Sequence, residues 1–525
     1  MLSKIKSAGL FGIEGHVVTV ECDSMMRKEK FEIVGLPDNA IKEAKERIKS
    51  ALFNSGFYFP ETEVTVNLAP ADLKKAGSSY DYAILIAILR STGQIPVFEA
   101  EGKCFVGELS LDGTVRRTAG TLNMALAARD AGITDFYTSK DAAAEASAVS
   151  GINVYGIENI KETAAVLAGE AQVEKSVFDM GLFNDASVDF DVDFSDVKGQ
   201  ERAKRAIEIA CAGGHNLLMI GPPGAGKSML ARRIPTIMPP LSFEEALECT
   251  KIYSASGNLT GGERCPLVSV RPFRAPHHTA SRGGLAGGGT IPMPGEISLA
   301  HNGVLFLDEL PEFGSNILDI LRQPLESGKI TLTRVSGTPT FPANFMLICA
   351  MNPCKCGFYG DPNKKCTCTQ NDIKKYLSKV SGPILDRIDI HIELPSLNYE
   401  ELSSSTKVTG QERTAARGTG SAEMRERVVN ARKFAGARMK TESGMYCNAA
   451  LSPSEINEYC EIEPTASELL RQAFDKLGLS ARGYDRILRV ARTIADLDES
   501  DTIKSKHIAE AIQLRSLDRK YWQRP

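Results

Sequence analysis

Apolar positions in the first 170 residues recur with both helical and strand spacing. After Asp38, a residue type that caps helices, apolar side chains return every three or four positions. The face predicted to be buried consists of Ile41, Ala44, Ile48, Ala51 and Leu52. Residues 64–68 alternate as a strand does, residues 81–89 form an almost entirely apolar helix, and residues 104–109 and 136–138 add strand patterns. Together these patterns predict a mixed α/β domain.

Three short apolar runs in the middle of the chain predict buried strands of a parallel sheet. They are residues 216–220, 303–307 and 345–350. A glycine-rich turn follows the first run, Asp308 and Glu309 follow the second, and Asn352 follows the third. Doubly wound sheets bind their ligands at the carboxyl ends of the strands. The pattern therefore indicates a ligand site at this edge of the predicted sheet.

The turn after the first strand matches the phosphate-binding pattern G-x-x-x-x-G-K-[ST] at every fixed position. Its residues are Gly221, Pro222, Pro223, Gly224, Ala225, Gly226, Lys227 and Ser228. Glycines let backbone N–H groups converge on phosphate oxygens, and the N-terminus of the following helix adds partial positive charge. We expect Lys227 to hold the β- and γ-phosphates of ATP and Ser228 to ligate Mg²⁺.

The second strand delivers two carboxylates about 80 residues after the phosphate-binding loop. An apolar run that ends in Asp-Glu is a weak signal alone, and the preceding loop makes it a strong one. We expect Asp308 to hold Mg²⁺ through water. Glu309 is predicted to orient and deprotonate the water that attacks the γ-phosphate.

Length and composition restrict the class of protein. The 525 residues are too many for one core and predict about three domains. With 42% hydrophobic and 24% charged residues the chain reads as an ordinary soluble protein, and no stretch is long and apolar enough to cross a membrane. The N-terminus lacks the apolar core of a signal peptide, so we expect a cytoplasmic protein. At a net charge of −4, contacts to nucleic acid would have to be concentrated in a few loops or a channel.

Four of the 12 cysteines fall within a span of 15 residues. Cys354, Cys356, Cys366 and Cys368 form the spacing C-x-C-x9-C-x-C. Four thiolates on two tight turns can close a tetrahedral shell around structural Zn²⁺, although C-x-C is tighter than the usual C-x2-C. A redox role or simple burial is the alternative. If zinc is bound, it clamps the loop that follows Asn352, and we expect its removal to impair activity.

Several stretches of the middle region resemble AAA+ ATPases. The approach to the loop, residues 196–212, is similar to theirs, and the resemblance implies that Asn352 is the sensor that positions the attacking water. Arg387 resembles the arginine finger that reaches across a subunit boundary, which implies a ring, a homo-hexamer. Its alternative is an ion pair with Asp386 or Asp389. Arg482 resembles the second sensor, which contacts the γ-phosphate from a helical lid, and its alternative is a solvated basic helix face.

Two insertions carry a narrower resemblance. Residues 271–279, the glycine-rich residues 283–289 and residues 294–303 closely resemble magnesium-chelatase-type AAA+ proteins. The adjacent His277 and His278 have no matching acidic partner, so we interpret them as loop residues and not as metal ligands. Residues 329–339 predict a β-hairpin. Its basic residues are Lys329 and Arg334, which either contact DNA phosphates in a ring pore or guard a solvated hairpin edge.

The N-terminal region resembles the proteolytic domain of the Lon family. Residues 75–79, the apolar helix and residues 107–113 carry this resemblance, which puts Ser79 where that family has its nucleophile. The family's lysine is missing, and Leu122 occupies the expected position. Because the dyad works as a unit, we expect an inactive relative without peptidase activity.

The fold class predicted from these signals is α/β: a Lon-protease-like mixed α/β N-terminal domain, an AAA+ parallel-sheet core and a C-terminal helical lid. The predicted boundaries are 1–170 for the inactive Lon-like domain, 171–195 for a linker, 196–400 for the ATPase core with the insert 354–368, 401–424 for a flexible segment and 425–525 for the lid.

Nearly the whole chain resembles the ComM/YifB family of magnesium-chelatase-like AAA+ ATPases. This resemblance implies a hexameric, ATP-driven motor on single-stranded or branched DNA, a helicase that promotes branch migration in recombination and natural transformation. Two alternatives stay open. One is the motor subunit of a magnesium chelatase, and the other is an ATPase that remodels proteins. Stimulation of hydrolysis by DNA or by a partner protein discriminates between them.

Overall fold

The computed structural model describes residues 2–26, 28–184, 190–259, 265–289, 291–334, 337–396, 419–441, 445–477, 479–515, 517 and 521–522. Most of the segment predicted to be flexible, residues 401–418, lies outside these ranges. Two sheets organise the rest. The first has eight strands and belongs to the N-terminal part of the chain, and the second has five strands and carries the phosphate-binding loop.

The N-terminal sheet has the strand order β10-β9-β8-β5-β1-β2-β4-β3. Its strands are β1 (Ser3–Phe11), β2 (Glu14–Met25), β3 (Lys30–Val34), β4 (Glu63–Ala69), β5 (Lys103–Phe105), β8 (Asp135–Ser139), β9 (Asn153–Ile157) and β10 (Lys175–Ser176). A separate ribbon pairs β6 (Glu108–Leu109) with β7 (Val115–Arg116), so the run predicted as one strand is divided in two.

Five helices accompany this sheet: α1 (Asn39–Asn54), α2 (Asp81–Ser91), α3 (Thr121–Asp130), α4 (Lys140–Ala146) and α5 (Ile160–Leu167). Asp38 caps α1 by accepting a hydrogen bond from the Ile41 backbone N–H at 3.0 Å. The five apolar residues predicted for its inner face are all buried, and α2 is buried almost throughout, as its composition indicated. The short helix α6 (Met180–Asn184) follows within residues 171–195, the predicted linker.

The second sheet is entirely parallel, with the order β12-β15-β18-β11-β19. Its strands are β11 (Leu217–Ile220), β12 (Phe273–Arg274), β15 (Val304–Leu307), β18 (Met346–Met351) and β19 (Ile390–Glu393). The three strands predicted from apolar runs lie side by side in its centre, and every residue of them is buried. Burial on both faces explains why these runs carry no polar alternation.

Helices cover the faces of this sheet, and two small antiparallel ribbons extend from it. The helices are α7 (Glu201–Gly213), α8 (Lys227–Ile237), α9 (Phe243–Ala255), α10 (Arg282–Ala286), α11 (Glu296–Leu299), α12 (Ser315–Leu318), α13 (Arg322–Ser327), α14 (Gln370–Leu377) and α15 (Gly382–Leu385). The ribbons are β13 (Gly287–Gly288) with β14 (Met293–Pro294), and β16 (Lys329–Thr331) with β17 (Thr340–Pro342). The second ribbon is the predicted hairpin.

The described part of the chain after residue 418 is helical. Its helices are α16 (Ser421–Met439), α17 (Pro453–Tyr459), α18 (Pro464–Leu477), α19 (Ala481–Leu497) and α20 (Ser505–Gln513). The first of them begins four residues before the predicted start of the lid at residue 425, with Asp193 accepting hydrogen bonds from the Ser421 backbone N–H. In α19 the apolar residues Ile487, Val490, Ala491 and Ile494 are all buried.

The N-terminal part packs directly on the ATPase-like part. The Gly120 backbone N–H donates to Ser254 O at 2.9 Å, and Asn123 Nδ2 donates to Lys251 O at 3.2 Å. Ile13, in the turn between β1 and β2, is buried in the same apolar cluster as Ile330 and Phe341 of the hairpin. This contact joins the turn of the N-terminal sheet to the β16–β17 hairpin, although the contacting residues are more than 300 positions apart in sequence.

Candidate nucleotide-binding site

The phosphate-binding loop leaves the carboxyl end of β11 and enters α8 through glycine conformations. Gly224 and Gly226 have φ angles of 80° and 87°, in the left-handed region that favours glycine. A Cβ on Gly221 would lie 2.6 Å from Leu394 O, so this position has no room for a side chain. The predicted loop is thus present with the strand before it and the helix after it.

Lys227 lies in the mouth of the loop and is nearly buried. Its Nζ donates to Gly221 O at 2.7 Å, to Pro222 O at 2.9 Å and to Asn352 Oδ1 at 3.0 Å. Burial lowers the pKa of Lys227, and the nearby charges of Asp308 and Glu309 oppose that shift. The contact with Asn352 brings the residue after β18 to the end of the loop that follows β11, as expected for neighbouring parallel strands.

Ser228 and Asp308 meet at the same edge. Ser228 Oγ donates to Asp308 Oδ2 at 2.5 Å, although the two residues are 80 positions apart in sequence. A hydroxyl beside a carboxylate is the oxygen pair that Mg²⁺ ligation by a phosphate-binding loop requires. The two side chains fit the metal predicted for them.

Glu309 is exposed and has an unusual backbone conformation. Its φ of 53° lies in the left-handed region, and its backbone N–H donates to Asp308 Oδ1 at 2.9 Å. Such conformations cost about 1–3 kcal/mol and cluster at functional sites. The backbone at Glu309 is therefore held by its surroundings and not by its own preference.

His278 is a residue that the sequence interpretation set aside. Its Nδ1 lies 3.4 Å from Glu309 Oε2, and its ring lies 4.1 Å from that of His277, centroid to centroid. The expectation that the histidine pair has no acidic partner is therefore wrong for His278. The signal was absent because His278 and Glu309 are 31 positions apart and meet only through the fold. Within the described ranges His278 belongs to no cluster of three or more metal-ligating side chains.

Arg387 and Arg482 lie away from the phosphate-binding loop of their own chain. Both line a cavity of about 640 Å³ together with Asn216 and Asp389, which precede β11 and β19. The loop follows the other end of β11, so the length of a four-residue strand, about 13 Å, separates the two edges. The cavity also holds Arg271, Arg432, Arg486 and Arg489.

Arg387 makes an ion pair, but not the one that the sequence left open. Its guanidinium pairs with Glu326, and its Nη1 donates to Pro383 O at 2.6 Å. Asp389 instead faces Arg486, with 3.5 Å between Nε and Oδ1. The alternative partner named from sequence, Asp386 or Asp389, is thus wrong, because the adjacent helix α13 delivers a closer carboxylate. Glu326 is 60% exposed, so the pair with Arg387 is screened by solvent.

The four cysteines converge after β18. Their sulfur atoms all lie within 4.8 Å of one another, with 3.4 Å between Cys354 and Cys356 and 3.5 Å between Cys356 and Cys366. Zn–S bonds of about 2.3 Å in a tetrahedron place the sulfurs about 3.8 Å apart, so the donor set and spacing fit zinc. Burial raises the pKa of Cys356, but hydrogen bonds from the backbone N–H groups of Phe358 and Thr367 bring it below the usual range, which favours thiolate.

The cysteine loop touches the phosphate-binding loop. Gly357 has a φ of 85°, and a Cβ added there would lie 2.5 Å from Pro223 Cδ. Its backbone N–H donates to Cys354 O at 3.0 Å, which closes the turn between the first two cysteines. A glycine is therefore required where the candidate metal site packs against the nucleotide site. In the sequence, the glycine that directly follows Cys356 is the feature that could have indicated this close contact.

The two candidate DNA contacts lie on the exposed side of the hairpin. Lys329 begins β16 and is exposed, and so is Arg334, whose backbone N–H donates to Gly337 O at 3.0 Å. The glycine-rich insertion packs beside them, since a Cβ on Gly287 would lie 3.3 Å from Leu332 Cδ1. The two insertions predicted separately from sequence form one surface feature.

Ser79 is buried in the N-terminal part, with 5% of its surface exposed. Its Oγ donates to Ala8 O at 3.2 Å, and Leu122 belongs to the same apolar cluster as Ala8. Ser79 therefore has no lysine beside it at the Leu122 position, and its hydroxyl donates its hydrogen bond to a backbone carbonyl. That the domain lacks peptidase activity stays a prediction.

Family models match three parts of the chain. One described as "Magnesium chelatase, subunit ChlI" matches residues 193–402, and one described as "Magnesium chelatase, subunit ChlI C-terminal" matches residues 418–515. A third, "Subunit ChlI of Mg-chelatase", matches residues 20–142. The N-terminal match is to a chelatase-type description, and the Lon-like interpretation of this part stays a prediction.

Full-length relatives are similar to the chain from end to end. "Competence protein ComM" of Haemophilus influenzae is 41% identical over 522 residues, which cover 99% of this chain and 98% of that protein. "Uncharacterized protein YifB" of Salmonella typhimurium is also 41% identical, over 519 residues, with the same coverage. The "Magnesium-chelatase 38 kDa subunit" of Cereibacter sphaeroides is 25% identical over only 30% of this chain and 52% of its own length.

Among the described residues, no helix combines the length and apolar character needed to cross a membrane. The parallel sheet, the loop with Lys227 and Ser228, and the matches over nearly the whole length agree with one another. The chain belongs to the ComM/YifB family of magnesium-chelatase-like AAA+ ATPases.

Proposed function

We propose that the chain hydrolyses ATP at the carboxyl edge of the five-stranded sheet, with each residue of that edge in the role expected from sequence. The observation that carries this proposal is the pair of contacts Ser228–Asp308 and Lys227–Asn352, at 2.5 and 3.0 Å. The loop binds the phosphates, and Ser228 and Asp308 would hold Mg²⁺, which would supply positive charge next to them. Asn352 and Glu309 orient the attacking water, and Glu309 takes its proton.

The active form in this proposal is a ring of identical subunits, a homo-hexamer. Arg387 and Arg482 lie on the amino edge of the sheet, away from their own nucleotide site. In a head-to-tail ring this edge faces the carboxyl edge of the next subunit. Arg387 then leaves Glu326 and stabilises the charge on the neighbour's transferred phosphoryl group, and Arg482 contacts the same nucleotide. Arg482 therefore serves the neighbour's γ-phosphate and not that of its own chain.

The substrate of the motor in this proposal is single-stranded or branched DNA, and the activity is that of a helicase in branch migration. Two features support it. The hairpin presents Lys329 and Arg334 to solvent beside the glycine-rich insertion, where phosphates can be contacted in a ring pore. A relative that matches over 98% of its length has the name "Competence protein ComM". With a net charge of −4 the chain concentrates such contacts in few places.

A structural Zn²⁺ completes the proposal. Cys354, Cys356, Cys366 and Cys368 supply a closed set of four donors, which leaves no position for a substrate and so favours a structural role over a catalytic one. These residues hold the chain between Asn352 and α14. Through Gly357 they also hold the segment that packs against Pro223.

A second candidate function is the motor subunit of a magnesium chelatase. The family models that match residues 20–142, 193–402 and 418–515 carry chelatase descriptions, which favours it. Full-length similarity favours the DNA motor instead, because the chelatase subunit of Cereibacter sphaeroides matches only 30% of this chain.

ATP hydrolysis measured with and without single-stranded and branched DNA, at fixed salt, tests the proposal. Glu309→Gln serves as the control that binds ATP without hydrolysing it. We expect DNA to stimulate hydrolysis by the wild-type chain. Hydrolysis that responds to no DNA, but rises with a porphyrin-binding partner protein, would replace the DNA motor by the chelatase function.

A further inference from the structure

Asn216 ties together three segments that the proposed hydrolysis depends on. It precedes β11, which leads to the phosphate-binding loop. Its Nδ2 donates to Arg387 O at 2.8 Å, and its Oδ1 accepts from the Leu347 backbone N–H at 2.8 Å in β18, which leads to Asn352. One amide side chain thus joins the arginine segment to the two central strands.

The backbone of Asn216 adds further contacts to the same segment. Its carbonyl accepts from the backbone N–H groups of Asp389 and Ile390, both at 3.1 Å, and its own N–H donates to Asp389 Oδ2 at 3.3 Å. Asp389 faces Arg486 of α19. Although burial opposes ionisation, His215, Arg486 and Arg515 hold the pKa of Asp389 below its usual range. The segment that carries Arg387 is therefore fixed on one side by Asn216 and on the other by α19.

The chain around Arg387 has little regular structure of its own. Arg387 follows the single helical turn Gly382–Leu385 and stands three residues before β19. Its own backbone N–H donates to Ile384 O at 2.8 Å, and its backbone carbonyl accepts the hydrogen bond from Asn216 Nδ2. A displacement of about 1 Å at a charge-stabilising group can reduce a rate by about 10²-fold.

We propose that Asn216 is a positioning residue for Arg387. Its side-chain N–H fixes the position of the Arg387 backbone at the edge of the sheet. Its side-chain oxygen holds that position relative to β18, the strand that leads to Asn352. This inference rests on the proposed role of Arg387 toward the neighbouring subunit. Asn216 itself touches neither ATP nor the reacting water, because it lies at the opposite end of β11 from the loop.

Asn216→Asp tests this, since it keeps the oxygen that accepts from Leu347 and replaces the N–H that donates to Arg387. We expect kcat for ATP to fall at least tenfold, while the Kd of a fluorescent ATP analogue changes less than twofold. The matched control is Asn54→Asp, which removes a 2.7 Å bond from the same amide to Leu111 O in the N-terminal part. We expect this control to hydrolyse ATP at the wild-type rate.

The double variant Asn216→Asp with Arg387→Ala decides between positioning and general support of the fold. If Asn216 acts through Arg387, the double variant hydrolyses no more slowly than Arg387→Ala alone. A kcat in the double variant that falls by the product of the two single losses would overturn the inference, and so would a wild-type kcat in Asn216→Asp. A wild-type kcat in Arg387→Ala would instead refute the proposed role of Arg387. If Asn216→Asp yields no folded ring, Asn216→Gln, which shifts both amide groups by one methylene, is put through the same measurements with the same outcomes.

Discussion

The two edges of the five-stranded sheet differ in how their polar groups are satisfied. At the carboxyl edge, Lys227, Asn352, Ser228 and Asp308 contact one another within the chain. At the amino edge, arginines gather around a cavity, and the buried atoms Arg387 Nε and Arg486 Nη1 have no hydrogen-bond partner among the described residues. A buried donor left unpaired costs about 1–3 kcal/mol. At the first edge the polar groups are already arranged around the proposed nucleotide site, and the second edge has an excess of positive charge, with six arginines and three carboxylates around the cavity.

This difference is what a site shared between subunits requires. In the proposed mechanism, the carboxyl edge provides phosphate binding, metal ligation and the base, and the amino edge provides cations for the charge that develops in the transition state. A subunit alone holds both halves but cannot bring them together, because the sheet lies between them. Variants at the two edges should therefore fail in different ways.

Arg387→Ala gives the largest expected loss on the amino edge. Arginine fingers contribute about 10³–10⁵ in kcat, so we expect a loss of at least 10³-fold with ATP binding retained. Steady-state hydrolysis and the Kd of a fluorescent ATP analogue measure the two effects. Arg129→Ala, which removes a surface arginine paired with Asp130, is the control and should be neutral. Loss of ATP binding in Arg387→Ala would place the arginine in its own chain's site.

Glu309→Gln gives the matching loss on the carboxyl edge. A general base contributes about 10²–10⁴ in rate, so kcat should fall by that factor. The amide keeps the shape of the side chain and removes the negative charge beside Lys227. ATP affinity should therefore be unchanged or higher, as equilibrium binding would report. Hydrolysis at more than a tenth of the wild-type rate would exclude Glu309 as the base.

Gly357→Ala should weaken nucleotide binding at the carboxyl edge and leave the proposed zinc site occupied. The new methyl group meets Pro223 at 2.5 Å, and the φ of 85° disfavours alanine as well. We expect ATP affinity to fall about tenfold, which corresponds to about 1.4 kcal/mol, with one Zn²⁺ per chain still present by elemental analysis. Gly132→Ala has a similar φ of 78° and no atom within 4 Å of its Cβ, so it isolates the backbone strain. Equal effects in both variants would refute the contact between the two loops.

Asp389→Asn should give the smallest of the expected effects, a change in how the free energy of unfolding depends on pH in the acid range. The native pKa of Asp389 lies below its usual range, so the unfolded chain takes up this proton first as the pH falls. The stability that the carboxylate contributes is complete above the unfolded pKa of about 3.9 and is lost as the pH falls through the lower native value. In Asp389→Asn this slope, at most about 1.4 kcal/mol per pH unit, should disappear from urea unfolding between pH 5 and 3. An unchanged slope would contradict the assignment.

Local pattern predicted which segments lie at the carboxyl edge, because each of them follows a buried strand. The phosphate-binding loop, Asp308 and Asn352 could be found from apolar runs and the polar residues at their ends. The shared cavity of Arg387 and Arg482 could not, because α19 and the segment before β19 meet only in the folded chain. The pair of Arg387 with Glu326, the contact of His278 with Glu309 and the bonds of Asn216 were missed for the same reason.

The N-terminal part shows the same limit at the level of topology. The inner face of α1 and the burial of α2 followed from spacing and composition. The order of the eight strands did not, since β1 pairs with β5 and β2 pairs with β4, with long connections in between. Nor did any pattern near Ile13 indicate that this turn packs against the hairpin residues Ile330 and Phe341.

Mixing two inactive variants in one ring tests whether the nucleotide site is shared. Glu309→Gln leaves the amino edge intact, and Arg387→Ala leaves the carboxyl edge intact. A mixed ring then contains interfaces where an intact Glu309 meets an intact Arg387. We measure ATP hydrolysis of the two variants alone and after mixing with reassembly, in the presence of DNA. The shared site predicts that hydrolysis reappears on mixing, up to about a quarter of the wild-type rate for random assembly of equal amounts. A mixture as inactive as its components, in rings shown to contain both variants, would contradict it.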